Sequence, residues 1–257
     1  MSLQVLVSTM NQHDTTLIER MKLQSDAIII NQSDKYDYQE INKNGHIYKI
    51  YSFAERGIGL SRNSALMRTH SDFALLADDD MVYRSDYTKI VVEQFAKYPQ
   101  ADLIIFNLEE DTPIRYIIKK PFKVSKLNYM RFGAARIAFK PSRIKQKGIS
   151  FHLLFGGGTL HSNGEDTIFL KDCLDKGLVI MAVPITIARL TEERESTWFN
   201  GYNEKYYRDR GALFKQLSPK FHRLLILQFV LRKYKVGTGM PSRKEQLSYM
   251  LAGAKEL

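Results

Sequence analysis

Short apolar runs alternate with amphipathic stretches over the first hundred residues of the chain. The runs are rich in β-branched residues and predict strands at residues 3–9, 26–30, 46–53, 73–77 and 102–106. Between them, apolar residues at helical spacing predict helices after Asp14 and at residues 59–69 and 87–98. Strands that alternate with helices are typical of an α/β fold, with a largely parallel sheet covered by helices.

The rest of the chain follows a less regular pattern. Residues 109–164 show no clear period, and Gly156-Gly157-Gly158 indicates a turn or a close backbone approach. A predicted helix at residues 166–176 and a predicted strand at 179–187 resume the alternation. We expect residues 191–257 to form a C-terminal helical extension.

Composition and charge narrow the range of partners. The chain has 257 residues, of which 44% are hydrophobic and 26% charged, as is usual for folded proteins that do not span membranes. Its 38 Lys and Arg residues exceed its 28 Asp and Glu residues by ten. This excess favours phosphate-bearing partners such as nucleotides, nucleic acids or anionic lipids. The single cysteine, Cys173, excludes an intramolecular disulfide and a multi-cysteine zinc site, and we expect it to be buried.

The apolar stretches of the sequence predict neither a membrane-spanning helix nor a signal peptide. The longest apolar stretch, residues 224–231, is much shorter than the roughly 20 residues that a spanning helix needs. The first eleven residues lack the basic segment that precedes the apolar core of a signal peptide. We therefore expect a cytoplasmic protein.

Three consecutive aspartates follow the predicted strand at residues 73–77. Asp78, Asp79 and Asp80 would lie at the carboxyl end of a buried strand, where open α/β sheets bind their ligands. Their mutual repulsion calls for a cation, and Mg²⁺ or Mn²⁺ bound together with a substrate's phosphate would provide it. The alternative is a solvated acidic turn, with one aspartate capping a helix.

Two further motifs carry candidate chemistry. Gly164-Glu165-Asp166 opens a predicted helix, either as a general base at the helix start or as an acidic first turn favoured by the helix dipole. Residues 56–63, with two glycines and two arginines, lead into another helix. Such a helix start suits a diphosphate, although a capped helix with a surface arginine would show the same pattern.

Taken in order, these motifs resemble those of family 2 glycosyltransferases of the GT-A fold. Residues 5–11 resemble that family's opening strand, and residues 59–63 resemble its Gly-x-x-x-Arg-Asn element. Residues 75–80 resemble its Asp-x-Asp motif, and residues 164–166 its Glu-Asp motif. The resemblance implies a GT-A domain over residues 1–190, with a nucleotide-sugar half at 1–107 and an acceptor half at 108–190.

The resemblance also implies a reaction. A sugar would pass from a nucleotide-sugar, by family habit a UDP-sugar, to a glycan or lipid-linked saccharide in bacterial surface-polysaccharide synthesis, with inversion of the anomeric centre. Asp80 and Asp78 would hold Mn²⁺ or Mg²⁺, Asp166 would be the base, and Glu165 would position the acceptor or the helix. The nucleotide-sugar would be bound by Thr9, Asn11, Asn31, Gln32, Arg62, Asp78 and Asp79.

The sequence departs from the family's pattern in three places. The second strand ends in Asn31 and Gln32 rather than in acidic residues, so we expect an amide oxygen to accept the hydrogen bond from the base. The register of the aspartates is ambiguous, because Asp79 and Asp80 also fit the motif after a shift of one residue. No histidine after the last strand is available as a further metal ligand, and the candidate substitutes are water or the carboxylates of Glu192, Glu193 and Glu195.

The acceptor half and the tail leave more alternatives open. Gly157, His161 and Trp198 are candidates for acceptor binding, although His161 could be a surface residue and Trp198 a core residue. Residues 219–235 place basic residues around an apolar centre. They would form either an amphipathic helix on the inner face of the cell membrane or a helix in the core or at a dimer interface.

Two other functions compete with sugar transfer. A sugar-phosphate nucleotidyltransferase would need a glycine-rich basic loop directly after the first strand, where this sequence has residues 10–14, Met-Asn-Gln-His-Asp. A basic nucleic-acid-binding module would explain the charge excess but not the acidic clusters at strand and helix ends. We therefore expect no nucleic-acid partner.

Overall fold

The computed structural model describes residues 1–111, 115–191, 201–233 and 240–257, which form a mixed sheet with helices on both faces. Its strands are Leu3–Met10 (β1), Asp26–Gln32 (β2), Asp37–Lys43 (β3), His46–Phe53 (β4), Phe73–Asp78 (β5), Met81–Tyr83 (β6), Leu103–Glu109 (β7), Phe122–Lys123 (β8), Ile137–Phe139 (β9) and Ile180–Leu190 (β10). Its α-helices are Leu17–Arg20 (α1), Ile58–Arg68 (α2), Tyr87–Lys97 (α3), Pro141–Gln146 (α4), Glu165–Asp175 (α5), Glu204–Leu217 (α6), His222–Lys233 (α7) and Arg243–Gly253 (α8).

The strand order in the sheet is β3-β4-β2-β1-β5-β9-β7-β10-β6, and β8 pairs with β10. Strands β4, β2, β1 and β5 are parallel, as are β7 and β10. The short strand β9 lies antiparallel between β5 and β7. The predicted fold class, a mostly parallel central sheet flanked by helices, is confirmed.

Both faces of the central strands are buried, which explains their continuous apolar runs. Along β1, Leu6 packs into a cluster on one face that includes Phe169 of α5. Its neighbours Val5 and Val7 pack into the cluster on the other face, which includes Val91 of α3. Successive side chains of a strand point to opposite faces, so every position of such a strand must be apolar.

Strand β3 was missed because its sequence is polar and mostly exposed. It pairs antiparallel with β4 across Asn44 and Gly45, which have φ values of 52° and 78°. Asn-Gly is a strong hairpin signal because both turn residues need positive φ. The Asn44-Gly45 dipeptide is therefore the feature of the sequence that indicates this hairpin.

The C-terminal helices pack tightly on one another and on the sheet domain. Gly211 of α6 and Gly253 of α8 leave no room for a Cβ, because the backbones of Met250 and Arg208 lie against them. Leu213 of α6 belongs to the same apolar cluster as the residues of the central sheet. Within the part of the chain that the structure describes, no helix is long and apolar enough to cross a membrane.

Candidate active site

A cleft of about 610 Å³ opens where β1, β2 and β5 end. This volume is within the range of small-molecule sites. The carboxyl edge of the parallel strands is also the place where open α/β sheets bind ligands. The polar residues that line the cleft are Ser8, Thr9, Gln32, Arg56, Arg62, Asp78, Asp79, Asp80, Arg115, Arg136, Ser162, Asn163, Glu165 and Asp166.

The three aspartates lie together on one wall of this cleft. Asp78 is the last residue of β5, and the carbonyl oxygen of Asp80 accepts a 2.7 Å hydrogen bond from the backbone N–H of Thr191, just beyond β10. The hydroxyl of Thr9 donates to Oδ2 of Asp79 at 2.5 Å. Burial, together with the charges of Asp78 and Asp79, raises the pKa of Asp80 to about 6. The expected mutual repulsion is therefore present in this structure.

Arg62 joins the aspartates to the second acidic cluster. Its Nη2 donates to Oδ1 of Asp78 at 2.9 Å, and its Nη1 donates to Oε1 of Glu165 at 2.7 Å. The Arg62 side chain is only 5% exposed. Burial lowers its pKa, but the charges of Asp78 and Glu165 outweigh burial and raise the pKa above its ordinary value. Arg62 lines the cleft, as expected for a residue that contacts the nucleotide-sugar, and in this structure its guanidinium binds two carboxylates.

The second acidic cluster stands at the first turn of α5. Gly164 has a φ of 117°, and a Cβ there would lie 2.7 Å from Cδ1 of Leu213. A glycine is therefore required where the chain turns into the helix. Oδ1 of Asp166 accepts a 2.6 Å hydrogen bond from the backbone N–H of Thr167. Burial raises the pKa of Asp166, and burial together with the charge of Asp166 raises that of Glu165 to about 7.

The residues predicted for the nucleotide-sugar divide into two groups. Thr9, Gln32, Arg62, Asp78 and Asp79 line the cleft, whereas Asn11 and Asn31 are not among its lining residues. Both amide oxygens that we expected to meet the base already accept backbone hydrogen bonds. Oδ1 of Asn31 accepts from Gln12 at 3.0 Å, and Oε1 of Gln32 accepts from Gly57 at 2.6 Å. These amides hold the loops around the cleft.

The three residues predicted to bind the acceptor differ in where the structure places them. Gly157 lines the cleft, and its carbonyl oxygen accepts from the backbone N–H of Ile58 at 3.0 Å. His161 is fully buried, with its ring stacked on Phe155 and its Nδ1 3.3 Å from Oδ1 of Asp209. That placement does not support an acceptor contact by His161, and the alternative of a surface residue is wrong. Trp198 lies outside the described residues.

The metal-binding prediction fits the donor atoms only in part. Among the described residues, no group of three or more His, Cys, Asp and Glu side chains could hold a metal ion. However, Oδ1 of Asp80 is buried without a hydrogen-bond partner in the described structure. Mg²⁺ commonly takes one or two carboxylates and completes its shell with substrate phosphates and water. Asp78 and Asp80 fit that pattern, and Glu192, Glu193 and Glu195 lie outside the described residues.

Arg136 is a cleft residue that the sequence did not predict, and Asn63 of the Gly-x-x-x-Arg-Asn element makes a contact that the sequence did not predict. Arg136 lines the cleft and is 2% exposed, and burial followed by the charge of Arg115 lowers its pKa to about 10. It comes from the irregular segment, where no sequence pattern pointed to it. The side chain of Asn63 exchanges two hydrogen bonds with the backbone of Phe151, at 2.7 and 2.8 Å. Asn63 therefore ties α2 to the acceptor half.

Comparisons with known proteins identify the fold. No model of a known family matches the chain, and no curated protein sequence matches it. Among solved structures, S. aureus TarS 1-349 in complex with UDP-GlcNAc is similar with a TM-score of 0.67 and 14% identity, over 98% of this chain and 80% of that chain.

Two further structures of the same protein agree. TarS 1-349 in complex with UDP is similar with a TM-score of 0.61 and 15% identity, over 92% of this chain and 73% of that one. A structure of S. aureus TarS gives the same TM-score and identity over 92% of this chain and 44% of that one. At these identities the likeness concerns the fold, and it agrees with the GT-A class expected from the motifs.

Proposed function

We propose that this protein is an inverting glycosyltransferase that moves a sugar from a UDP-sugar to a hydroxyl group of a glycan or lipid-linked saccharide. The observation that carries the proposal is the pair of acidic clusters on one cleft, joined through Arg62. One cluster ends β5 and the other begins α5. The fold likeness to a protein that binds UDP-GlcNAc supports the donor class.

The β5 cluster suits the donor. Asp80 and Asp78 are the residues that would hold Mg²⁺ or Mn²⁺, which supplies positive charge to the departing diphosphate when bound. Oδ1 of Asp80 is buried and has no hydrogen-bond partner in the described structure, so this oxygen is available to coordinate a metal ion. Asp79 is oriented by the hydroxyl of Thr9 and can accept hydrogen bonds from sugar or ribose hydroxyls.

The α5 cluster suits the acceptor. Asp166 takes the proton of the acceptor hydroxyl as that oxygen bonds to the anomeric carbon. The bond from the anomeric carbon to the phosphate oxygen breaks, and its electron pair leaves with the nucleotide diphosphate. One direct displacement of this kind inverts the carbon. Burial raises the pKa of Asp166 above its ordinary value, and a higher pKa makes its carboxylate a better base.

Glu165 has a different part in this proposal. Its carboxylate is bonded to Arg62, so it holds the start of α5 against the aspartates of β5. Within the described part of the chain Asp166 forms no ion pair, and it faces the cleft, so we assign it as the base. The two neighbouring acids therefore separate into a positioning residue and a catalytic residue.

The test separates donor binding from chemistry. We would measure UDP binding by calorimetry with and without Mn²⁺, and UDP release from a panel of UDP-sugars in the presence of saccharide acceptors. Asp80→Asn should weaken Mn²⁺-dependent UDP binding about tenfold or more. Asp166→Asn should keep UDP binding but slow UDP release by about a hundredfold or more. Asp172→Asn, on α5 but not among the cleft-lining residues, is the matched control and should change neither.

Two outcomes would contradict the proposal. Wild-type protein that binds no UDP or UDP-sugar, with Mn²⁺ or without it, would remove the donor assignment. Full activity in Asp166→Asn would remove the assigned base. A response to GDP, CDP or dTDP in place of UDP would correct the donor nucleotide.

A further inference from the structure

Helix α7 presents a row of large apolar side chains to solvent. The row, called here the α7 stripe, consists of Phe221, Leu224, Leu227 and Leu231, which are between 46% and 64% exposed. Spacings of three and four residues place the leucines on one face of the helix, and Phe221 directly precedes it. The opposite face of α7 packs against the rest of the protein, where Ile226 and Val230 are buried in the core. A contiguous exposed apolar surface of this kind marks an interaction site.

Positive charge surrounds the α7 stripe. Residues 219–233 contain four basic residues, Lys220, Arg223, Arg232 and Lys233, and no Asp or Glu. At about 100° per residue, Arg223 borders the stripe on one side and Arg232 borders it on the other. Both are exposed. The surface therefore combines an apolar centre with a cationic rim.

We propose that α7 binds an anionic lipid surface. The α7 stripe would enter the headgroup region, and Arg223 and Arg232 would pair with lipid phosphates. An amphipathic helix with basic residues beside its apolar face lies in the plane of such a surface. With 12 residues, α7 is about 18 Å long, which is too short to cross the hydrocarbon core.

The same charges argue against other occupants. In a symmetric dimer the two copies would present identical patches to each other. Arg223 and Arg232 would then meet the same basic patch of the second copy, in which residues 219–233 offer no acidic residue to pair with them. A nucleic acid would match the arginines, but it would leave the leucines of the stripe exposed. An anionic lipid surface satisfies both features.

The position of α7 connects this surface to the cleft. Helix α7 packs against α6, where the rings of Phe229 and Phe214 lie 5.6 Å apart. Asp209 of α6 accepts a 2.9 Å hydrogen bond from the backbone N–H of Ser162, which lines the cleft. A lipid surface at α7 would therefore lie on the side of the molecule that carries the acceptor half. The inference does not depend on the proposed reaction.

Vesicle sedimentation tests the inference directly. The full chain would be centrifuged with vesicles of phosphatidylcholine alone and with vesicles that also contain phosphatidylglycerol. We expect binding only to the latter, and we expect it to weaken roughly tenfold or more in the double variant Leu224→Gln/Leu231→Gln. The variant Arg223→Gln/Arg232→Gln should bind about 25-fold more weakly, because each basic residue near an anionic surface contributes about fivefold.

The control uses exposed leucines elsewhere. Leu127→Gln/Leu153→Gln changes two leucines of at least equal average exposure outside α7 and should bind like the wild type. Thermal unfolding would show that each variant is folded. Absence of binding to anionic vesicles, equal binding to neutral ones, or unchanged binding in the leucine variant would each overturn the inference. A wild-type dimer that the leucine variant converts to a monomer, without vesicle binding, would assign the stripe to a second copy.

Discussion

Replacement of Glu165 by glutamine tests the electrostatics of the cleft most directly. Glu165 is 9% exposed, and burial followed by the charge of Asp166 raises its pKa from 4.5 to about 7. This rise remains although Arg62 favours the charged form. Glutamine keeps the size of the side chain and can still accept a hydrogen bond from Arg62, but it cannot ionise.

The sign of the effect follows from proton binding. Because its pKa is higher in the folded state, the folded protein binds the Glu165 proton more tightly than the unfolded chain does. The folded state therefore loses stability as the pH rises from 4.5 through 7. A pKa rise of this size corresponds to about 3 kcal/mol. Glu165→Gln cannot ionise and does not lose this stability. Relative to the wild type, its free energy of unfolding should therefore rise by about 3 kcal/mol as the pH is raised from about 4 to about 8.

The assay is urea unfolding at a series of pH values, with a chelator present. Glu93→Gln is the control, because Glu93 is an exposed residue of α3 whose side chain is 58% accessible. It should follow the pH dependence of the wild type. Parallel curves for wild type and Glu165→Gln would refute the reasoning, since they would mean that the ion pair with Arg62 fully offsets the burial of Glu165.

Two further predictions concern the packing around the cleft. Asn63→Ala removes both hydrogen bonds to the backbone of Phe151, so the free energy of unfolding, measured by urea titration, should fall by about 2 kcal/mol. A change within experimental error would mean that water replaces these hydrogen bonds. Gly164→Ala should cost about 3 kcal/mol, because its φ is 117° and a Cβ would strike Leu213. Gly148→Ala is the control, because Gly148 has a φ of 56° and open space where a Cβ would lie, so the substitution should cost only the backbone strain of about 1 kcal/mol. Equal losses of stability at Gly164 and Gly148 would contradict a clash with Leu213.

Much of the fold was predictable because periodicity reports burial. The runs that became β1, β2, β5 and β7 are apolar at consecutive positions, since both of their faces are covered. The segment from 109 to 164 could not be predicted in this way. It contains β8 and β9, of two and three residues, and such short pieces are too brief to show a period. Their positions depend on the strands beside them.

Some features of the candidate site were also predictable from the sequence, and others were not. The acidic clusters were predictable, because carboxylates at strand and helix ends stand out from their apolar surroundings. Their connection through Arg62 was not predictable, since Asp78 and Glu165 lie 87 positions apart in the sequence and meet only in the folded chain. His161 also illustrates the limit. Its polar type suggested a ligand contact, but Phe155 and Asp209 enclose it.

The sequence by itself determined the α/β class, the longer apolar strands β1, β2, β4, β5, β7 and β10, the helices α2, α3 and α5, and the acidic residues that line the cleft. These features depend on neighbours along the chain, where apolar spacing and residue type are directly visible. Only the tertiary structure decided which polar side chains face the cleft and which are engaged elsewhere. Arg62 faces the cleft, whereas Asn31 and His161 bind partners that are distant in sequence, because a buried polar group binds the partner that the fold brings to it.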